Sequence, residues 1–442
     1  MEIIYLLLII ELSLLLMVMV FTSFDFTCPS FITLVMFTLS TVSLIINGDN
    51  WNVNFDLVTF LVLTFGLTVM VTVELSAMYY YRKKNIINQK NTFKIVSFET
   101  EWVKGSIVKT FILILSVLMM LIYIREIFSI GRGLNLNNMI SVIGAVKASE
   151  YHTSTIATLC LRIGYALSNL YAFIFCHNVI ISHQKVKQNL YLIASAVCGI
   201  VSSFYSGSRG MLMGSMIAFG FYFIIFSRIS HGWREIKIRK YLKYIVPAMV
   251  LFIGFFFFSR NAVKNREYTT GVFEYITYYL GNSQQLLNLS ITNSYGAFPD
   301  IYSIPGAYTF QFFYNELDGI GIISLPEKIS SRFLRLNLYS KGNVYTMFGE
   351  PYNDFGFFGM LIYVAVFYWI FSYFYYKYIR YWENTEKGKD VLLVFGSQYY
   401  LVFFTFYLAP TIWLKIQTLV TIIIILITYK FIRKYRIIIG KR

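Results

Sequence analysis

The residues whose types and spacing hold the most chemistry lie in Ser202-Ser203-Phe204-Tyr205-Ser206-Gly207-Ser208-Arg209-Gly210. This stretch joins two apolar runs, Leu190–Tyr205 and Met211–Phe226, of about 16 residues each. As helices these are about 24 Å long, shorter than the about 30 Å of a bilayer core. The spacing predicts two short helices with a turn sunk below one membrane face. Non-helical backbone is tolerated at that depth only where it lines a cavity. Ser208 is placed to cap the second helix. The free amides of that helix and the Arg209 guanidinium would then make an anion site suited to phosphate. The competing reading is a polar turn whose arginine reaches out to lipid headgroups.

Other groups extend that chemistry. Arg162 falls inside the apolar run Ile156–Ile181, where a charge at the bilayer centre costs about 2.5–3.5 kcal/mol on insertion scales. It calls for a cavity or a partner, or for snorkelling to the interface. Arg260, Lys264 and Arg266 follow directly on another apolar run, and Arg332, Arg335 and Lys341 come later. Arginine suits bidentate contact with phosphate, and anionic headgroups are the alternative ligand. Glu267, Glu316, Asp318, Glu350 and Asp354 supply carboxylates, and His152 an imidazole. Any of these can take a proton from an attacking hydroxyl. Asp354 is also placed to cap a helix starting at Phe355, and a lone histidine such as His152 is more often structural. Tyr275, Tyr278 and Tyr279 suit stacking on sugar rings and equally suit interfacial anchoring. Glu11 and Glu74 lie within apolar runs and read as buried structural partners, and Lys415 near a run's end reads as snorkelling. No acidic DxD cluster marks a metal site, so the expectation is no metal and no cofactor, with arginines meeting negative charge.

The elements that must position these groups are membrane helices. The chain has 442 residues, 57% of them hydrophobic and 19% aromatic. That composition excludes a soluble domain. Its formal net charge of +16 falls between apolar runs, as topology signals do, and does not point to nucleic acid. Cys28, Cys160, Cys176 and Cys198 have neither metal nor disulfide spacing. About eleven runs are long enough to span: Ile3–Phe21, Phe31–Ile46, Phe55–Met78, Ile107–Ile127, Ile156–Ile181, Leu190–Tyr205, Met211–Phe226, Tyr241–Phe258, Phe355–Ile379, Val391–Leu408 and Ile412–Phe431. The basic connections Arg82–Lys104, His183–Lys187, Arg228–Lys243, Lys377–Lys389 and Lys430–Arg442 fit one strict alternation, with the N-terminus outside and the C-terminus in the cytoplasm.

The expected organisation is therefore membrane helices over 1–258, an outer segment over 259–354, and membrane helices with a basic tail over 355–442. The outer segment is about 95 residues long. Within it Val272–Ile291 has the spacing of a helix lying at the interface, Pro299 and Pro305 break the chain, and Pro326–Leu336 reads as a further short helix.

Two stretches carry a resemblance: Ser206-Gly207-Ser208-Arg209-Gly210, and Gly342-Asn343-Val344-Tyr345-Thr346 followed by Glu350-Pro351-Tyr352-Asn353-Asp354-Phe355-Gly356-Phe357-Phe358-Gly359. Together with the topology, they resemble the O-antigen and capsule repeat-unit polymerases. Some members carry an arginine and a glycine separated by ten residues, a spacing matched here by Arg209 with Gly220 and Arg260 with Gly271.

The resemblance implies an all-α polytopic fold of GT-C-like polymerase or ligase architecture in a bacterial cytoplasmic membrane, with the active site facing outward. It implies glycosyl transfer from an undecaprenyl diphosphate-linked glycan to a new lipid-linked repeat unit. Membrane lipid and a chain-length regulator protein are the further partners. On that basis Arg162, Arg209, Arg260, Arg266 and Arg335 hold the diphosphate, Glu350, Asp354 or His152 is the base, and Asn343, Tyr345 and Tyr279 meet sugar. A glycan ligase, a lipid-linked sugar flippase and an envelope scaffold are the competing functions. The flippase is disfavoured by the absence of paired halves.

Overall fold

The computed structural model describes residues 2–89, 106–134, 139–147, 153–233, 271–292, 297–337, 340–381 and 386–434. In chain order the helices are α1 (Glu2–Phe21), α2 (Pro29–Ile46), α3 (Leu57–Gln89), α4 (Ser106–Gly133), α5 (Met139–Lys147), α6 (Thr155–Cys176), α7 (Leu190–Tyr205) and α8 (Arg209–Ser230). They continue with α9 (Val272–Thr292), α10 (Gln311–Gly319), α11 (Gly349–Phe374), α12 (Glu386–Gln398), α13 (Tyr400–Phe403) and α14 (Ile416–Lys434). Two two-residue strands, β1 (Leu334–Arg335) and β2 (Lys341–Gly342), pair antiparallel with Leu334 opposite Gly342.

Helix α1 shows what solvent this chain is built for. It buries Ile4, Leu7, Glu11 and Val18, one stripe at helical spacing. Its outward face carries Leu6, Ile9, Leu12, Leu16 and Val20. A helix that is apolar on its outward face as well has lipid around it. Among the described residues, eight helices are long and apolar enough to cross a membrane. The chain is an all-α polytopic membrane protein.

The expected spans differ in two places. Leu190–Tyr205 is a helix of 16 residues, while its successor, expected at about the same length, runs 22 residues from Arg209 to Ser230. The apolar run Val391–Leu408 is not one helix: α12 ends at Gln398 and, beyond the short α13, the backbone leaves helical geometry before Pro410–Leu414 forms a 3-10 turn. Tyr241–Phe258 lies outside the described residues.

The chain forms two compact units, which cut across the three-part division by chain position. The first comprises Met1–Lys94, Thr270–Val391 and Leu401–Leu419; the second comprises Ile95–Thr269, Leu392–Tyr400 and Val420–Arg442.

Helix α9 belongs to the first unit and packs on α2. The apolar spacing predicts a helix lying at the interface, but every residue from Gly281 to Asn288 is buried. Two features embed it. Gly281 lets α9 approach the α2 backbone, since a Cβ there would stand 2.9 Å from the Leu44 nitrogen. The polar side chains also find partners inside, as buried polar groups must. Gln284 Nε2 donates to Thr41 Oγ1 at 3.0 Å and to the Phe37 carbonyl at 3.3 Å, and Thr41 donates onward to Glu11 at 2.9 Å. Asn288 donates to the Asn54 carbonyl at 2.8 Å and accepts from the Asp56 amide at 2.8 Å. Ser283 donates to the Phe406 carbonyl at 2.6 Å. Gly281→Val is therefore expected to cost about 1–3 kcal/mol through overpacking. It should read as a lowered Tm in detergent, and unchanged stability would contradict the close α2–α9 approach.

A second polar knot ties α2, α3 and the π-helical turn Tyr375–Arg380 that ends α11. Arg380 Nε lies 3.3 Å from Asp25 Oδ2, and Tyr375 donates to the same carboxylate at 2.7 Å. Glu74 accepts from the Ser30 amide at 2.6 Å and from the Tyr376 hydroxyl at 3.0 Å. Glu74 thus accepts two hydrogen bonds, as a structural carboxyl does, while Glu11 accepts one and its Oε2 has no partner among the described residues.

The second unit is organised by small residues. A Cβ at Gly199 of α7 would lie 2.3 Å from the Gly164 carbonyl oxygen of α6. Only glycine permits that crossing, a device common where membrane helices pack closely. Ser168 and Ser215 meet at 3.3 Å, joining α6 to α8.

Candidate functional site

The first unit places Glu350 and Asp354, and the local sequence explains how. The β1–β2 hairpin ends on Gly342, where a Cβ would come within 2.6 Å of the Leu286 side chain. Ser331 Oγ donates to the Asn343 carbonyl at 3.1 Å, and Asn343 is half-buried. Thr346 then adopts a left-handed backbone with φ +59°, costly for a β-branched residue. The surroundings hold it there. Its hydroxyl accepts from the Phe348 amide at 3.2 Å, and the next amide, Met347, donates to the Thr405 carbonyl at 2.8 Å. The Phe348 ring packs onto Gly66, which has room for it only because it lacks a Cβ.

Helix α11 begins straight after this turn. Pro351 sits in its first turn, where a missing amide is harmless. Gly356, at φ +67°, breaks helical geometry, so Gly349–Phe355 is a short helical piece distinct from the spanning part that follows. Glu350 and Asp354 lie one turn apart on it. Glu350 is 4% exposed, and its Oε2 has no partner among the described residues. Asp354 was expected to cap a helix; instead its Oδ2 accepts from the Thr309 amide at 2.6 Å and ties down the loop after Pro305. Its position inside a helix, with a loop amide within reach, explains the difference.

That loop carries Tyr308, whose hydroxyl donates to the Pro299 carbonyl at 2.5 Å. Burial pushes the Tyr308 phenol above its usual pKa, Tyr302 and Asp354 add to this, and Arg332 opposes it. Burial raises the Tyr345 phenol too, with Glu350 adding. Glu350, Asp354, Tyr345, Tyr308 and Arg332 thus belong to one electrostatic neighbourhood, with both phenols kept as neutral donors.

The other candidates of this unit take more structural places. Tyr345 has no exposed surface: its ring lies 4.9 Å from that of Phe298 and its hydroxyl donates to the Arg332 carbonyl, so it offers no face to a sugar. Tyr279 is half-buried, packed against Tyr275 at 4.8 Å and stacked at 6.4 Å on Tyr407. Arg335 is exposed on β1, opposite Lys341. Glu316 accepts the Ile416 amide and Asp318 the Leu325 amide at 2.9 Å, so both terminate local backbone. The short helix expected over Pro326–Leu336 does not form. Asn315 takes both the amide and the carbonyl of Ile329, each at 2.8 Å, so that backbone is committed elsewhere. Lys415 is not a simple snorkelling lysine: its ammonium lies 4.0 Å from the centre of the Phe312 ring. Burial lowers its pKa, with Glu316 opposing.

The second unit places Arg209 and Arg162. Ser206 Oγ donates to the Ser203 carbonyl at 2.7 Å, Gly207 turns at φ +66°, and Ser208 Oγ accepts from the Met211 amide at 3.5 Å. This is the expected capped start of α8, with Arg209 its first residue. The Arg209 side chain lies outside the described residues, as do His152, Arg260, Arg266 and Glu267. Gly220 falls within α8, and a Cβ on it or on Gly271 would meet nothing within 4 Å. Space therefore gives no reason for a glycine at either position.

Arg162 is half-buried in the second turn of α6, and among the described residues it has no hydrogen-bond or ion-pair partner. Leu161 and Tyr205 pack on one apolar cluster with Ala157. This brings the first turns of α6 and the last turn of α7 to the same end, where α8 starts. Sequence reasoning did not single out Thr309 and Tyr308, whose importance comes from a contact with Asp354 made far along the chain.

The fold and these sites define a multispanning helical membrane protein with a buried carboxyl beside a loop and a capped helix start carrying arginine. No family model, curated protein or solved structure matches the chain.

Proposed function

We propose that the chain is a membrane glycosyltransferase that polymerises lipid-linked oligosaccharide repeat units, at the outer face of a bacterial cytoplasmic membrane. The observation carrying this reading is Glu350: a buried carboxyl with one oxygen unengaged, one turn from Asp354 and its anchored loop. A carboxyl kept out of water without a full set of partners is expensive as structure and suited to proton transfer. The resemblance of the Gly342–Gly359 stretch to repeat-unit polymerases supports the same assignment.

In this reading the acceptor sugar's hydroxyl attacks the anomeric carbon of the growing glycan. The bond from that carbon to the diphosphate oxygen breaks, undecaprenyl diphosphate leaves with the electron pair, and Glu350 takes the hydroxyl proton. Asp354 holds the Thr309 loop. The resemblance assigns the leaving diphosphate to Arg209, Arg162, Arg260, Arg266 and Arg335, cations suited to the charge that develops on it. His152 remains an alternative base. A chain-length regulator is the expected protein partner.

The test supplies the protein in detergent with lipid-linked repeat units alone. A polymerase builds a ladder of products. A ligase needs a separate acceptor and builds none, and a flippase forms no bond.

A further inference from the structure

Cations from three separate segments of the first unit gather around a small set of tyrosines. Lys377 Nζ donates to the Tyr373 hydroxyl at 2.5 Å and lies 4.6 Å from the centre of the Tyr373 ring and 5.0 Å from that of Tyr378. Lys387, at the start of α12, lies 5.7 Å from the centre of the same Tyr378 ring. Arg380 lies 5.7 Å from the Tyr381 ring centre, and Arg82, exposed at the end of the α3 span, acts electrostatically on that tyrosine. Tyr81 packs edge-on to Tyr373 at 5.9 Å, which joins the end of α3 to the end of α11.

Two features point to a ligand. Arg380 is answered by Asp25 at 3.3 Å, but among the described residues no ion pair reaches Arg82, Lys377 or Lys387. Bringing two ammonium groups to one ring costs like-charge repulsion that a bound anion relieves. The depth is also right. The span Leu57–Lys84, of 28 residues, and the spanning part of α11 past its break at Gly356 both end here. The first is about 42 Å long and the second, over 357–380, about 36 Å, both more than the about 30 Å hydrocarbon core, so their ends reach the headgroup layer. Cations there, with tyrosine rings beneath them, match a phosphodiester whose acyl chains run down the adjacent apolar surface.

We propose that Lys377 and Lys387, which meet on the Tyr378 ring, form a binding site for the phosphate of one anionic phospholipid, with Arg82 as a further cation at the end of α3.

The test is native mass spectrometry of the full-length protein released from mixed phosphatidylglycerol and phosphatidylcholine nanodiscs. Wild type is expected to retain phosphatidylglycerol selectively. The double variant Lys377→Gln/Lys387→Gln should lose about thirtyfold of that preference, roughly fivefold per cation. Lys377→Arg/Lys387→Arg should keep it. Lys83→Gln/Lys84→Gln, which removes the same charge from the neighbouring surface, should change it little. An equal loss in that control would reduce the effect to general surface attraction and overturn the site. Equal retention of both lipids by wild type would overturn it too. So would displacement of phosphatidylglycerol by millimolar inorganic phosphate, which would make the site one for free phosphate. A melting temperature in phosphatidylcholine shared by all variants confirms that each is folded.

Discussion

Glu350→Gln is expected to lower polymer-forming turnover by about 10²–10⁴-fold, the usual contribution of a positioned general base, while the protein still folds. The substitution keeps shape and removes only the capacity to accept a proton. Glu350 is 4% exposed with Oε2 unengaged, so a glutamine amide fits without losing a hydrogen bond. Asp354→Asn makes the informative contrast. Asp354 accepts from the Thr309 amide at 2.6 Å, and an asparagine oxygen can still accept it, so a loss well under that of Glu350→Gln is expected. The measurement is turnover at saturating lipid-linked substrate, with Tm as the check on folding. Comparable losses in the two variants would move the proton-accepting role away from Glu350.

Arg209→Ala is expected to lower turnover by about 10²–10³-fold, as removal of one donor aimed at developing charge does elsewhere. The Ser208 cap of α8 does not depend on the arginine side chain, because it is made by the Ser208 hydroxyl and the Met211 amide. Helix α8 should therefore survive the change, leaving the loss in turnover as a charge effect. Lysine at this position keeps the charge and forfeits the bidentate fork, so Arg209→Lys should fall between. Near-normal polymer from well-expressed Arg209→Ala protein would remove Arg209 from the mechanism.

The elements legible in the sequence were those with a local cause. The α1 stripe and its apolar outer face follow from spacing alone, and the Ser208 cap follows from a serine before an arginine and a run of apolar residues. Glu74 was legible as structural because its alternatives in a span are few. What escaped had distant causes. Helix α9 reads as interfacial because of its apolar spacing and its tyrosines; only Thr41, Phe37, Asn54 and Phe406 make its polar face a buried one. Asp354 reads as a cap until the Thr309 amide is beside it. The Val391–Leu408 run reads as a span because its hydropathy does not register that the backbone near Thr405 is engaged by Met347. In the same way nothing near Asp25 announces Arg380.

The most direct measurement takes the purified protein in detergent with a defined undecaprenyl diphosphate-linked oligosaccharide and follows both products by mass spectrometry. Glycosyl transfer predicts a ladder of lengthened glycans with one undecaprenyl diphosphate released for each new linkage, and loss of both with Glu350→Gln. Folded protein that leaves the substrate at its starting length and releases no undecaprenyl diphosphate would contradict it.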